Sequence, residues 1–512
     1  MQFISKMENK ESFHRFFTLS CADTRWDENF TSQLRDLGVK ISYEKDSDTD
    51  EIQVFVTVDG ETLTLSDYLK DSRFCNDSRH EQIRKSVLNA TRNFDHRVKV
   101  FFKHILMSKD NPMNPQYFNY RVEFQMRGAG HIHGVIWIDL NKPLPNGIDN
   151  KAVQSAFTKF KKEEPVTVEE EDNVIRFIDS FITCSTDVEE VQKLLIRDCK
   201  DKQKIAEKVI SSAKEVNMHS QKHSMSCRKY RTKCRFSFPK YPSLRTIITK
   251  SPNLVYKERL DAQFSEEDVE GRSKYLEKKM KVNTEILKLV QTALDNYDEL
   301  QAEDPQILLM QESTLETAID EILLTESIKN LVDIGENVVA RYHEALEVSA
   351  GNRYTVVLKR HPRDRYINNY NPEWMFAWNA NLDLQICLDY YSIVTYISDY
   401  YSKDDTGTIE FLKKTYKEIE DKDMVDKLKE MANTFLTHRK IGEAESLYRL
   451  IPSMHLSESN LKCVYVATGF PKDRYAFAQM VTMDEKDPKF VDDEVAFQLT
   501  VVEACIRKNR PC

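Results

Sequence analysis

The sequence predicts an α+β fold in which an antiparallel sheet is flanked by helices, with a basic Cys/His insertion and additional helical regions. Three observations support this: paired segments of alternating apolar and polar residues joined by short turns, an amphipathic segment with helical spacing, and a long charged stretch almost free of Gly and Pro. The chain has 512 residues, 40% of them hydrophobic, so we expect about two to four domains with buried cores.

Composition excludes several classes of protein. A net charge of -9 argues against a uniformly basic nucleic-acid binder, although a local basic surface is compatible with it. The ten cysteines lack the dense, regular spacing of a secreted disulfide scaffold. The charged N-terminus lacks the apolar core of a signal peptide, and no apolar run reaches membrane-spanning length. We therefore expect an intracellular protein in a reducing compartment.

The first predicted elements are a hairpin and a helix. EIQVFVTVDGETLTL alternates in the manner of a β-hairpin, with Asp59 and Gly60 at the turn. An amphipathic helix follows, whose apolar residues on one face are Ile83, Val87, Phe94, Val98, Phe101 and Ile105. Asn-Pro pairs at 111–112 and 114–115 end this helix.

Further strands and helices follow in order. YFNYRVEFQM and HIHGVIWIDL are predicted strands joined by residues 127–130, and a short helix contains Phe177, Ile178 and Phe181. The long helical stretch has its clearest apolar stripe at Ile286, Leu289, Val290, Ala293, Leu294 and Tyr297. RYTVVLKR is predicted as a strand, and NLDLQICLDYYSIVTYISDYYSK as an aromatic-rich helix or pair of helices.

These patterns divide the chain into six regions. In order they are an N-terminal hairpin region (1–80), a metal-binding core (81–180), a Cys/His basic DNA-binding segment (181–255), a charged helical insertion (256–350), a strand plus tyrosine helix (351–410) and a C-terminal helical region (411–512).

Two histidines in a predicted strand are candidate metal ligands. His131 and His133 are two residues apart, so in a strand they project from one face while Ile132 enters the core. A hairpin would bring Glu123 or Gln125 opposite them. Two imidazoles and one oxygen ligand suit a divalent ion that also holds a phosphate. The alternative is a solvent-facing or hydrogen-bonded histidine pair.

A tyrosine pair is a candidate for covalent chemistry. Tyr396 and Tyr400 are four residues apart and share one face of a predicted helix. They could present two phenolates in turn to one phosphate, provided the site favours the phenolate. The alternative is a packed aromatic face that also contains Tyr390, Tyr391 and Tyr401.

A third group combines cysteines, histidines and cations. His219, His223, Cys227 and Cys234 supply two imidazoles and two thiolates, the ligand set of a closed structural zinc site; the alternative is a chance grouping. The cations expected to contact single-stranded DNA are Arg228, Lys229, Arg231, Lys233, Arg235 and Lys240. Phe236 and Phe238 could stack on bases or belong to the core.

Six segments, taken in order, resemble one family. They are FFTLSCADTRW, FDHRVKVFFKHIL, RVEFQMRGAGHIHGVIW, HSMSCRKYRTKCRFSFPKYPSLRTII, RDRYINNYNPEWMFAWNANLDLQICLDYYSIVTYISDYYSK and EAESLYRLIP. Together they resemble the HUH endonuclease (Rep) region, or helitron helicase-like domain, of Helitron rolling-circle transposases. The resemblance is weakest over about 255–345. One departure is Gly130, where the family often has Pro before the first histidine.

The resemblance implies an HUH-type antiparallel sheet and a nuclear single-strand DNA nicking and joining enzyme. It implies Mg2+ or Mn2+ held by His131, His133 and Gln125, with Glu123 as the alternative third ligand. It also implies a nucleophile from Tyr396 or Tyr400 that forms a 5′-phosphotyrosine. Lys403 matches a family lysine that could neutralise phosphate charge, and a solvated surface position is the alternative.

One expected part of such transposases is missing from the sequence. No Gly-x-x-x-x-Gly-Lys-Ser/Thr motif is present, so we expect no helicase motor in this chain, and a helicase would be supplied in trans or by a missing C-terminal region. A fragment, a degenerate copy and a product that works without a motor in cis all agree with this. A decayed or domesticated relative that only binds DNA or a protein partner is the alternative function.

Overall fold

The computed structural model describes most of the chain between residues 14 and 461. The described residues are 14–46, 52–75, 77–124, 128–162, 164–196, 201–222, 227–229, 233–303, 314–323, 326–331, 336–388, 414–417, 423, 425–427, 429–431 and 442–461. Those up to Glu458 belong to one compact unit, Phe13–Glu458.

Both strands and helices are distributed along the unit. The strands are β1 (Arg15–Ser20), β2 (Lys40–Lys45), β3 (Ile52–Val58), β4 (Glu61–Thr64), β5 (Pro115–Phe124), β6 (Gly130–Ile138), β7 (Arg228–Lys229), β8 (Lys233–Cys234), β9 (Ile247–Ile248), β10 (Val356–Val357), β11 (Leu382–Ile386) and β12 (Ser457–Ser459). The helices are α1 (Asp27–Asp36), α2 (Leu65–Lys70), α3 (Arg79–Lys85), α4 (Val87–Phe101), α5 (Asn150–Lys161), α6 (Val168–Asp179), α7 (Val188–Lys193), α8 (Lys202–Ser212), α9 (Pro252–Val255), α10 (Lys257–Gln263), α11 (Val269–Glu303), α12 (Leu315–Leu323), α13 (Glu326–Lys329), α14 (Val338–Glu347), α15 (Pro372–Trp378) and α16 (Glu443–Leu450).

A five-stranded sheet in the order β11–β1–β6–β5–β12 is the centre of the unit. The β11–β1, β1–β6 and β6–β5 pairs are all antiparallel. The expected α+β class, with antiparallel sheets flanked by helices, is therefore confirmed. The strands of this sheet come from distant parts of the sequence. The two neighbours of β1 are β6 and β11, and β11 begins more than 240 residues after the end of β6.

One face of the sheet is covered by helices and forms the main core. Phe17 and Leu19 of β1 and Ile132 of β6 are fully buried there, together with apolar residues of α4, α6 and α15. Trp378 at the end of α15 donates its indole N–H to the carbonyl oxygen of Ser20, at 2.8 Å. This hydrogen bond ties the covering helix to the end of β1.

Gly134 permits the close approach of three strands in this core. A Cβ atom at this position would overlap the ring of Phe17 on β1 and would lie 2.8 Å from the backbone carbonyl oxygen of Asn119 on β5. The carbonyl belongs to a paired strand and cannot easily move. Only glycine fits here without displacing β5 or β1.

His14 is buried in its neutral form just before β1. Its Nδ1 accepts a hydrogen bond from the backbone N–H of Ile138, at 3.1 Å, which requires an unprotonated Nδ1. Burial, and secondarily the charge of Arg15, lowers the pKa of His14 from 6.5 to about 3. The imidazole is therefore uncharged at neutral pH.

The first predicted hairpin is confirmed in a separate three-stranded sheet, β2–β3–β4. Asp59 and Gly60 link β3 to β4 with φ of 50° and 84°, respectively. Two consecutive positive φ angles are the requirement of a type I′ turn, whose twist matches that of the paired strands.

The charged helical region has a core of its own. Ile286, Val290 and Leu294 of the predicted stripe are buried and pack with α12 and α14, and Tyr297 of the same stripe is buried as well. Asp298 of α11 forms an ion pair with Arg365 and accepts a hydrogen bond from the Tyr366 hydroxyl at 2.7 Å. These contacts attach α11 to the segment before α15.

One predicted element is wrong. The segment beginning NLDLQI was expected to be helical, but residues 382–386 form strand β11 at the edge of the central sheet. Leu382, Leu384 and Ile386 are buried and alternate with less buried polar residues, a period of two that excludes a helix. Pairing with β1 decides the conformation of this short segment.

No helix within the described ranges is both long enough and apolar enough to cross a membrane.

Candidate metal-binding face and Cys/His cluster

His131 and His133 lie on the side of β6 that faces away from the helical core. Both side chains are half-buried, while Ile132 between them is fully buried among the helices. This alternation is the one predicted from the spacing of the two histidines. The two histidines therefore share one face of the sheet, where both are partly exposed.

Neighbouring strands add oxygen groups to this face. Glu123 of β5 lies directly opposite His131, and Thr18 of β1 lies directly opposite His133. Glu123 Oε2 is 3.2 Å from His133 Nε2, so the hairpin brings an acidic oxygen to the histidine pair as predicted. Arg121 stands opposite His133 on β5 and adds a cation to the same row.

The protonation state of His131 favours metal binding. Its pKa is lowered from 6.5 to about 4, chiefly by burial and then by the charge of His133. The charge of Glu123 raises this pKa but does not offset the other two effects. At neutral pH the ring is neutral and keeps a lone pair for a metal ion.

Several predicted catalytic residues lie outside the described residues. They are Gln125, Tyr396, Tyr400 and Lys403. Of the two alternatives for the third ligand, Glu123 is among the described residues and Gln125 is not. The predicted tyrosine segment follows β11, which lies two strands from β6, a separation of about 10 Å.

A second group of ligands is more tightly assembled. The ligand atoms of His219, Cys227 and Cys234 all lie within 4.8 Å of one another. The β7–β8 hairpin brings the two cysteines together, because Arg228 pairs with Cys234 and the N–H of Arg235 donates to the carbonyl of Cys227 at 2.7 Å. His223, the fourth predicted ligand, lies outside the described residues.

The spacing of these atoms fits a tetrahedral zinc ion. Zn–S and Zn–N bonds of about 2.3 and 2.0–2.1 Å at a tetrahedral angle place sulfur and nitrogen roughly 3.6 Å apart. Cys234 Sγ is 3.4 Å from His219 Nε2. Cys227 and Cys234 are free thiols, and Cys227 is buried. The three residues therefore fit one metal ion with a fourth position open for another ligand.

Backbone contacts orient His219. Its Nδ1 is 2.8 Å from the carbonyl oxygen of Ser220, so Nδ1–H can donate and leave Nε2 unprotonated toward the thiols. The backbone N–H of His219 donates to the carbonyl of Tyr366 at 2.8 Å. The ring of Phe238 packs on the imidazole, with 4.6 Å between centroids.

The two phenylalanines of the basic segment have different surroundings. Phe236 is 47% exposed, and the guanidinium of Arg235 lies 4.5 Å from its ring centroid. Phe238 is half-buried against His219. Both rings contact His219, Phe236 edge-on at 6.0 Å and Phe238 at 4.6 Å between centroids, and the exposed part of Phe236 is available to a ligand.

Of the six cations predicted to contact DNA, Arg235 and Lys240 have described side chains. Arg231 lies outside the described residues, and for Arg228, Lys229 and Lys233 only the backbone placement in the hairpin is described. Arg235 is exposed. Lys240 turns inward instead: its Nζ donates to the carbonyl of Phe236 at 2.7 Å, and burial lowers its pKa to about 8.

Lys240 connects the basic segment to the face that carries the histidines. Asn217, two residues before His219, donates its side-chain N–H to the carbonyl oxygen of Leu382 on β11 at 2.8 Å. The charges of Lys240 and Asp383 each oppose the effect of burial on the pKa of the other. Asp383 of β11 lies opposite Thr18, and Thr18 lies opposite His133. The Cys/His segment therefore adjoins the edge of the sheet on the side of the histidine pair.

No protein-family model, curated protein or solved structure matches the chain.

Sequence reasoning did not find two residues of this face. Thr18 contacts His133 from a strand more than a hundred residues away, and only the β1–β6 register reveals it. Asp383 was predicted to lie in a helix, although the alternation of LDLQI is typical of a strand. In the structure the strand pairs with β1 and puts Asp383 opposite Thr18.

Proposed function

We propose that the chain is an HUH-type endonuclease that nicks and rejoins single-stranded DNA, as the resemblance to Helitron transposases implies. The observation that carries the proposal is that His131, His133 and Glu123 share one face of an antiparallel sheet, with Glu123 Oε2 3.2 Å from His133 Nε2. Two imidazoles beside a carboxylate are a suitable ligand set for a divalent cation that retains open positions.

The protein's own residues have distinct tasks in this proposal. His131, His133 and either Glu123 or Gln125 would hold Mg2+ or Mn2+, which would polarise the phosphate. Arg121, whose position on β5 is opposite His133, would neutralise phosphate charge. Glu123 has the support of its contact with His133, and we adopt it as the working third ligand.

Bond formation and cleavage would involve a tyrosine. The phenolate oxygen of Tyr396 or Tyr400 attacks phosphorus and the P–O3′ bond breaks, which gives a 5′-phosphotyrosine and a 3′-hydroxyl once the leaving oxygen takes a proton. Attack by that hydroxyl reverses the step. From Leu388 to Tyr396 there are eight residues, which can span up to roughly 27 Å, enough to reach β6.

The Cys/His cluster would bind zinc and hold a DNA-contacting hairpin. Three ligand atoms within 4.8 Å and an oriented Nε2 support the structural metal. Phe236 and Arg235 at the exposed end could stack on a base and contact a phosphate. A single strand bound there would continue toward the histidine face along the Lys240–Asp383 side. A nuclear location and a helicase partner belong to the same proposal.

A second function is a binding protein without catalysis, in the manner of a decayed or domesticated relative. The observation that favours it is that the Cys/His cluster is more closely assembled than the histidine face. In that case the zinc-held hairpin would bind DNA while no strand is cut.

A nicking assay separates the two functions. The full chain is incubated with an end-labelled single-stranded oligonucleotide and Mn2+, beside a His131→Ala/His133→Ala double variant. Mn2+-dependent cleavage by the wild type, lost in the double variant with DNA binding retained, is expected of the nuclease. Binding without cleavage by either protein would favour the binding function, and equal cleavage by both would exclude these ligands.

A further inference from the structure

Thr18 makes a specific contact with one of the candidate metal ligands. Its hydroxyl Oγ1 is 3.1 Å from His133 Nδ1, and the β1–β6 register places the two residues directly opposite each other. The hydroxyl thus meets the ring nitrogen that is turned away from Glu123, which approaches Nε2 instead. We propose that Thr18 is a positioning residue that fixes His133 with Nε2 available to the metal ion; this inference rests on the proposed function of the histidine face.

A hydroxyl suits this position because it can both donate and accept a hydrogen bond. In the tautomer that carries the ring proton on Nε2, the nitrogen that faces Glu123, the Thr18 hydroxyl donates to the lone pair of Nδ1. When a cation takes Nε2, the ring proton must reside on Nδ1. The Thr18 oxygen then accepts from Nδ1–H, and the imidazole keeps its orientation.

The surroundings limit other ring orientations. The ring of Phe16 lies nearly parallel to that of His133, with 12° between planes and 6.2 Å between centroids. Thr18 is β-branched on a central strand, so its side-chain rotamers are few. Asp383 occupies the next position in the same row, directly opposite Thr18 on β11.

The test compares two substitutions at position 18. Thr18→Val keeps the shape and removes the hydroxyl, whereas Thr18→Ser keeps the hydroxyl. Loss of a partner to a ligating histidine typically weakens metal binding about 10–100-fold. Mn2+ affinity of the full chain, measured by electron paramagnetic resonance titration, should fall by that factor in the Val variant and stay near the wild-type value in the Ser variant.

A matched control is available in the other sheet. Thr62→Val also removes a hydroxyl from a cross-strand contact, here 3.1 Å between Thr57 Oγ1 and Thr62 Oγ1, but lies away from the histidines. It should leave Mn2+ affinity unchanged. Thermal unfolding of each variant monitors folding.

The outcomes separate this inference from the proposed function. Wild-type affinity in a folded Thr18→Val variant overturns the positioning role alone, as does equal weakening in the Val and Ser variants. Absence of any Mn2+ binding that depends on His131 and His133 overturns the proposed function and this inference with it. If the Val variant fails to fold, nitrogen-15 NMR of the wild type with saturating Mg2+ decides: a proton on Nδ1 of His133 supports the role, and a proton on Nε2 overturns it.

Discussion

Replacement of Cys227 by Ser should release a metal ion and loosen the hairpin that it holds. Cys227 is buried beside His219 and Cys234, and serine offers a poor zinc ligand. Among the residues that the structure describes, β7 and β8 share two paired positions, and so short a pair is not stable alone. Its order should therefore depend on the metal.

The expected size follows from the linkage between binding and local opening. At free zinc about 1,000 times the dissociation constant, binding stabilises the closed hairpin by about 4.1 kcal/mol. Opening of the hairpin would then become about 1,000-fold rarer. Hydrogen exchange at residues 227–235 should accelerate by up to that factor in Cys227→Ser, while exchange in the central sheet changes little.

Elemental analysis and hydrogen-exchange mass spectrometry measure both effects. Purified wild type should contain about one equivalent of zinc, and Cys227→Ser should lose it. Cys75→Ser is the control, because Cys75 is also a free thiol, half-buried rather than buried, and lies outside the cluster. Zinc-free wild type, or unchanged exchange at 227–235 in the Cys227 variant, would refute the reasoning.

Three further predictions concern packing, charge and DNA binding. Gly134→Ala should destabilise the chain by about 1–3 kcal/mol in urea denaturation because the added methyl group overlaps neighbouring strands. In the control variant Gly442→Ala the methyl group meets no atom within 4 Å and should have little effect. Wild-type stability in Gly134→Ala would contradict the close approach. The pKa of His14 is lowered to about 3, so its contribution to stability is present above pH 6.5 and is lost as pH falls toward about 3. His14→Gln should therefore make the free energy of unfolding fall less steeply over this range, by up to ~1.4 kcal/mol per pH unit. Parallel curves of unfolding free energy against pH for the two proteins would count against it. Phe236→Ala should weaken single-stranded DNA binding by about 1–3 kcal/mol in fluorescence anisotropy, with Leu37→Ala, another exposed apolar side chain, unchanged; equal affinities would exclude stacking on Phe236.

The elements that the sequence predicted well are those with strong local signals. The hairpin at Asp59-Gly60 and the two strands around His131 form because alternation and turn residues agree. The same alternation correctly predicted that His131 and His133 share a face and that Ile132 enters the core.

Residues that depend on long-range pairing were not predictable from local pattern. The strand at 382–386 is short and runs directly into an aromatic-rich segment, so helical spacing competed with its period of two. Its conformation is decided by pairing with β1, which lies more than 350 residues earlier. Thr18 was missed for the same reason, since its significance arises only from the β1–β6 register.

The Cys/His group shows a different limit. Three of its four predicted ligands come together although their spacing follows no standard finger. Ligand chemistry was therefore a better guide than spacing. The inward turn of Lys240 could not be predicted, because it depends on the local fold around the Phe236 carbonyl and on Asp383.

The covalent protein–DNA adduct tests the central claim most directly. The full chain, a Tyr396→Phe/Tyr400→Phe double variant and both single variants are incubated with labelled single-stranded DNA and Mn2+ and separated on a denaturing gel. Because Phe removes only the hydroxyl, DNA binding should persist in all four proteins. We expect an adduct with the wild type and none with the double variant. An adduct of unchanged yield in the double variant would contradict the account, because the nucleophile would then lie elsewhere.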